Sequence, residues 1–170
     1  MTGRPESNEA APYFFKYIDL VQSQDVLAVL EAQLVEIPAL LAGIGEEGSL
    51  HRYAPEKWSF RQVLNHVSDT ERVFLFRSFW FARGFDGPLP SFDEKVSAAA
   101  ARADEISWVR HIEEFQDVRR ATLSFFRNLP EEAWRRSGTA SDNLFTVRAI
   151  AYLLAGHAAH HVAILQERYL

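Results

Sequence analysis

Gly156-His157-Ala158-Ala159-His160-His161 lies inside an apolar, alanine-rich run extending from about Thr146 to Tyr169. At about 100° per residue, Val147, Ile150, Leu154, Ile164 and Leu165 fall on one side of a helix, and Thr146 is placed to cap its start. His157 and His161 fall near the middle of that apolar stripe, whereas His160 points about 80° away, towards its edge. Residues four apart on a helix share a face, so His157 and His161 can aim two imidazoles at one point. The run is too long for a strand. It predicts a helix that buries polar nitrogen.

Working outward, three further segments carry the same periodicity. The first, from about Ser23 to Ala42, has Val26, Leu27, Leu30, Leu34, Ile37 and Leu41 at spacings of three and four, with Pro38 as a kink candidate. The second, from about Ser59 to Arg83, opens with a Ser59/Gln62 capping box and a Trp58/Val63 hydrophobic staple. The third, from about Asp104 to Asn128, has Ile106, Val109, Ile112, Phe115, Val118, Leu123 and Phe126 as its stripe, and Pro130 closes it. The connection from Gly84 to Ala103 is long enough to hold a short helix. Strand-like alternation is scarce. Four amphipathic segments of this length predict an all-α, four-helix bundle over residues 23–170, preceded by an N-terminal extension, 1–22. The first ten residues are polar and expected to be loose.

Composition narrows the functional classes. The 170 residues carry a net charge of −5 without a basic block, which argues against nucleic acid as a partner. No long apolar run argues for a membrane span and no signal-peptide pattern is visible, so a soluble, cytoplasmic protein is expected. Cysteine is absent, which excludes a disulfide scaffold, a thiolate nucleophile and thiolate metal ligands. A metal would have to be held by histidine, carboxylate and water.

Two buried histidines need partners, because unsatisfied polar nitrogen in a core is costly. A divalent metal satisfies them; so do hydrogen bonds to carboxylate or backbone. Candidates for a third ligand are His51, His66 and His111. His111, beside Arg110 and Glu113, reads as a solvated surface residue. His66 lies about 70° from the main stripe of its helix, an interior position that periodicity allows but does not force.

Two motifs are similar to those of a known family. Trp58-Ser59-Phe60-Arg61-Gln62-Val63-Leu64-Asn65-His66-Val67-Ser68-Asp69 resembles the second-helix motif of the DinB-like family, and Gly156-His157-Ala158-Ala159-His160-His161 resembles its last-helix motif. The resemblance implies a four-helix bundle with a long connection between its second and third helices. It also implies a divalent metal on His66, His157 and His161, the last two being the pair the helical wheel selects. The extension before Ser23 is not part of that pattern.

Three neutral imidazoles leave positions for water or substrate, the layout of a catalytic site. Zn²⁺ is the first choice of metal, and Ni²⁺ or Fe²⁺ would accept the same donors. Such an ion lowers the pKa of bound water or of a bound thiol. The resemblance therefore implies a hydrolase, or a transferase joining a low-molecular-weight thiol to an electrophile, with a small-molecule substrate. His160, Asp69 and Glu71 are acid–base candidates. Asp69, one turn beyond His66, is placed to orient that imidazole, against the plainer reading of an ion pair with Arg72 or Arg77. Arg135, Arg136 and Arg148 are expected to be solvated. Phe74, Phe76, Phe79, Trp80 and Phe81 read as core or dimer contacts. The alternative function is a non-catalytic metal- or ligand-binding homodimer used in stress response. A ferritin-like di-iron site wants paired Glu-x-x-His motifs, and none is present.

Overall fold

The computed structural model describes residues 3–170; residues 1 and 2 of the expected N-terminal extension lie outside the described residues. The elements are α1 (Phe15–Ile18), α2 (Val26–Leu41), α3 (Phe60–Ala82), α4 (Glu94–Ala101), α5 (Trp108–Arg127), β1 (Ser137–Ala140), β2 (Asn143–Thr146) and α6 (Val147–Arg168). The four long helices are those expected from periodicity. α3 packs against α5 and α6, and α2 packs against the same two. Chain-consecutive α2 and α3 therefore stand on a diagonal of the bundle, and α3, which carries His66, lies beside α6.

The helix starts have local causes. Asp25 accepts hydrogen bonds from Leu27 N and Ala28 N to cap α2, Ser59 and Gln62 form the reciprocal box at α3, and Thr146 accepts from Ala149 N at α6. α5 begins at Trp108 rather than near Asp104, because residues 103–105 form a separate 3₁₀ turn. Its cap comes from a distance: Glu46 Oε2 accepts from Trp108 N at 2.8 Å. The other oxygen, Glu46 Oε1, takes a 2.6 Å bond from Arg61, a buried arginine that also donates to Ser49 Oγ and to the carbonyls of Asp104 and Ile106. α2 continues past Pro38 to Leu41.

Two hydrophobic clusters fill the bundle. One gathers Leu30, Phe74, Leu123 and the first half of α6; the other gathers Ile37, Val67, Phe115, Ala158 and Leu165. Between them, one residue on each long helix builds a polar layer. Arg119, with no exposure, binds Glu71 through Nε–Oε1 at 2.8 Å and Nη2–Oε2 at 2.8 Å. Its Nη1 donates to Gln33 Oε1 at 2.7 Å, and Gln33 Nε2 donates to Ala155 O at 2.8 Å. Glu71, an acid–base candidate from the sequence, is thus committed through both oxygens to Arg119 and is not a free acid or base.

The N-terminal segment departs from expectation as well. Instead of being loose, Glu9 and Ala10 are buried, Glu9 O accepts from Thr146 N at 2.9 Å, and the Glu9 carboxylate pairs with Arg148. Arg148 is therefore buried in an ion pair rather than solvated. α1 lies on α6 at Gly156, where a Cβ would come within 2.0 Å of Tyr17 O. The glycine admits a neighbouring helix, one of the two roles its missing side chain allows.

A β-hairpin was not expected. β1 and β2 pair antiparallel, with Ala140 opposite Asn143, and the turn residues Ser141 and Asp142 both have positive φ (51° and 58°), as a two-residue hairpin turn of matching twist requires. The connection after α3 docks on β1 through Leu89 N–Thr139 O (2.9 Å) and Ser141 N–Leu89 O (3.1 Å), and continues into α4.

Removing one partner of a buried ion pair leaves an uncompensated charge, at a cost of about 3–5 kcal/mol. Glu71→Ala is expected to lose that much stability in urea denaturation, and Glu71→Leu combined with Arg119→Met to recover most of it. Gly156→Ala is expected to displace α1 without melting the bundle, seen as faster hydrogen exchange confined to the N-terminal segment.

Candidate metal centre

His66 and His157 are buried, 4% and 8% exposed, and His161 is half-buried. Their rings converge: Nε2 of His66 lies 3.2 Å from Nε2 of His157, and Nε2 of His161 lies 3.1 Å from the same atom. One nitrogen of each ring falls within 4.8 Å of the other two. The convergence follows from position. His157 and His161 are a turn apart on α6, and α3 beside it sets His66 opposite.

Hydrogen bonding alone cannot satisfy this trio. A neutral imidazole nitrogen is either a donor or an acceptor. If His157 Nε2 carries a proton, it donates to one neighbour only. If it carries none, a single lone pair faces two rings. A cation would meet all three lone pairs at once. Two donors on one tetrahedral ion with bonds of 2.0–2.1 Å sit roughly 3.3 Å apart, close to the separations here.

Electrostatics favour the neutral, metal-ready form. Burial lowers His157 well below the ordinary histidine range, and the neighbouring rings add to the effect. His161 is pushed down to about 3, by burial first and by His66 and His160 next. His66 is lowered by burial, against a partial upward pull from Glu94 and Asp69.

The remaining candidates are placed as follows. His160 packs edge-on against Tyr17 and His161, with centroids 5.2 Å away in each case, outside the tight trio; burial lowers its pKa, helped by Lys16. Asp69 is engaged elsewhere: Oδ1 accepts from Arg72 at 3.1 Å and Oδ2 from Ser97 at 3.0 Å. That is the ion pair with Arg72 rather than a hydrogen bond to His66. His111, far from being solvated, is completely buried and donates Nε2–H to Ala103 O at 2.9 Å, holding the 3₁₀ turn to α5. His51 touches Tyr169 in ring contact, away from the trio. Phe74 and Phe81 are core, whereas Phe76 and Phe79 are exposed.

One neighbour has a role beyond its sequence reading, and another escaped sequence reasoning. Trp58 is more than a staple: its ring centre lies 4.9 Å from that of His66, and its carbonyl accepts from Tyr169 Oη at 2.6 Å. Glu94, at the start of α4, brings Oε2 to 4.0 Å from His66 Nε2. No periodicity marks Glu94, because it sits in the first turn of a short helix within the connection. A cavity of about 220 Å³ lined by Tyr53, Lys57, Trp58, His161, Ile164 and Tyr169 adjoins the trio. A cavity of about 470 Å³ opens at the N-terminal end of α6, near Arg148, Trp134 and Phe126. It touches none of the histidines, so size does not mark it as the reactive site.

The comparisons bear on the family and the fold. The DinB superfamily model matches residues 30–165. Among solved structures, YfiT from Bacillus subtilis, described as a probable metal-dependent hydrolase with an unusual four-helix bundle topology, aligns with TM-score 0.72 at 18% identity, covering 96% of this chain and 89% of that one. At that identity the likeness is one of fold. A search of the curated proteins finds no match. No helix among the described residues is long and apolar enough to cross a membrane.

Below about pH 6.5 the unfolded chain protonates its histidines while the folded, metal-free trio resists, His161 until about 3. The folded state then binds fewer protons than the unfolded one, so stability is full above pH 6.5 and falls as pH falls through that window. The expected slope is up to about 1.4 kcal/mol per pH unit for each histidine. Urea midpoints measured in EDTA between pH 7.5 and 4.5 check it; a flat profile contradicts neutral burial.

Proposed function

The chain belongs to the DinB superfamily, and on that premise we propose that it is a metal-dependent hydrolase whose three converging imidazoles, His66, His157 and His161, hold one divalent ion. The observation that carries the proposal is the meeting of three nitrogens whose lone pairs no arrangement of protons among them satisfies. Zn²⁺ suits an all-nitrogen trio with an open position, and Ni²⁺ or Fe²⁺ would take the same donors. When bound, such an ion supplies Lewis-acid polarisation and makes water a stronger acid at neutral pH.

The chain's own residues do the rest. Burial keeps the imidazoles unprotonated at neutral pH, so no proton has to be displaced before a cation enters. Trp58 lies against His66 and limits solvent on that side. The adjoining cavity, walled by Tyr53, Trp58 and Tyr169, offers an apolar surface of a size for one small substituent of a substrate, with Lys57 at its edge. Water is taken as the nucleophile, in line with the description of YfiT; a small thiol would use the same open position.

Purified protein is expected to carry about one divalent ion per chain by elemental analysis. His157→Ala is expected to abolish it while the far-ultraviolet circular dichroism stays helical. Release of p-nitrophenol from p-nitrophenyl acetate is expected to be lost in EDTA and restored by Zn²⁺. Turnover that requires an added low-molecular-weight thiol would replace the hydrolase with the transferase. Wild-type protein that binds no ion overturns both.

A further inference from the structure

Among the described residues, the imidazole trio has one carboxylate at its side that no hydrogen bond engages. Asp93 caps α4 by accepting from Lys95 N and Val96 N at 2.9 and 3.0 Å, and the next residue is Glu94. Glu94 Oε2 stands 4.0 Å from His66 Nε2, the same nitrogen that faces His157. Among the described residues it comes that close to neither other imidazole of the trio, and the mutually close donor set contains the three histidines alone. The carboxylate is therefore beside the cluster and outside it. Its side chain is 58% exposed. The other acidic neighbour, Asp69, is already held by Arg72 and Ser97.

α4 is itself fixed in place. Ser97, one turn after Glu94, donates to Asp69 Oδ2 on α3, and Ala98 is buried against the bundle. Upstream, Leu89 is pinned to the hairpin through both of its backbone groups. The helix that carries Glu94 is thus anchored on both sides while the carboxylate stays free to turn. A group that must approach a reacting water, accept its proton and return it needs this combination of fixed backbone and free end.

Resting on the hydrolase reading above, we propose that Glu94 is the catalytic proton acceptor of the site. For an acyl substrate such as an ester, the attacking water forms a bond from oxygen to the carbonyl carbon. Its O–H bond breaks, the proton passes to a Glu94 carboxylate oxygen, and the carbonyl π pair moves onto oxygen. On collapse, the C–O bond to the alcohol breaks, and the departing oxygen takes the proton back from Glu94. The products are a carboxylic acid and an alcohol; no oxidant or further reactant enters. His160 is the weaker candidate, because its ring is packed against Tyr17 and His161.

The test compares zinc-loaded wild type, Glu94→Gln, Glu94→Ala and His157→Ala. Zinc binding to the metal-free proteins is followed by calorimetry, and turnover by p-nitrophenyl acetate hydrolysis. Glu94→Gln is expected to bind one zinc with affinity lowered by no more than about 100-fold, as for a neighbour of the ligands rather than a ligand. Its kcat is expected to fall by about 10²–10⁴ with a smaller change in KM. Added formate is expected to restore part of the activity of Glu94→Ala and none of that of His157→Ala. Glu94→Gln at the wild-type rate overturns the assignment while leaving the hydrolase standing. So does failure of formate to rescue, and so does a loss of zinc affinity well beyond about 100-fold, which would make Glu94 a ligand. Zinc-loaded wild type without any turnover overturns the hydrolase reading, and the role of Glu94 with it.

Discussion

Arg119 has no contact with solvent, and its guanidinium binds Glu71 of α3 and Gln33 of α2 while Gln33 passes the connection on to Ala155 O of α6. All four long helices meet in this one layer. Its arithmetic is unforgiving: each donor has a named acceptor, and a helix slipped by one turn leaves a charge or an amide buried without a partner. The apolar clusters on either side have no such demand, since leucine, isoleucine and phenylalanine pack acceptably in several registers. The polar layer thus adds little net stability in itself but excludes alternative registers. Among helices with interchangeable apolar stripes, that is what a precise site requires.

The imidazole trio is the beneficiary. His66 lies just over one turn from Glu71, and His157 two residues from Ala155, so the register that satisfies Arg119 also brings α3 and α6 nitrogens to 3.2 Å. Helix positions hold such groups more exactly than loops do, because their rotamers are locked by packing on both sides. The same burial keeps the rings neutral, which is unfavourable for a solvated histidine but necessary for a metal ligand. Stability in acid is the cost of that arrangement.

Much of this was legible in the chain. Spacing of three and four, together with the Ser59/Gln62 box and Thr146, located the long helices, and His157 and His161 followed from helical geometry alone. Residues whose partners are distant in sequence were not legible. Arg61, Arg119, Arg148 and His111 look like surface residues, because charge and polarity predict exposure unless a partner is known. Each partner here lies at least eight residues away. The cap of α5 was hidden for the same reason: it is supplied by Glu46, from the loop after α2. The hairpin was hidden because Ser141 and Asp142 adopt positive φ without glycine, so its turn carries no strong signature.

The segments that periodicity could not classify are also the ones that surround the trio. The N-terminal stretch pairs Glu9 with Arg148 and lays Tyr17 against His157 and His160. The connection after α3 is clipped to β1 and delivers Glu94 to His66. The loop before α3 supplies Trp58 and, with Tyr53 and Lys57, one wall of the adjoining cavity. Helical repetition leaves a bundle few ways to vary its buried nitrogens without losing the register that Arg119 enforces. Irregular segments carry no such constraint, and they contact the same site from three sides. Differences in substrate between bundles of this kind are therefore expected to be written in these segments, while the imidazoles stay where the helices put them.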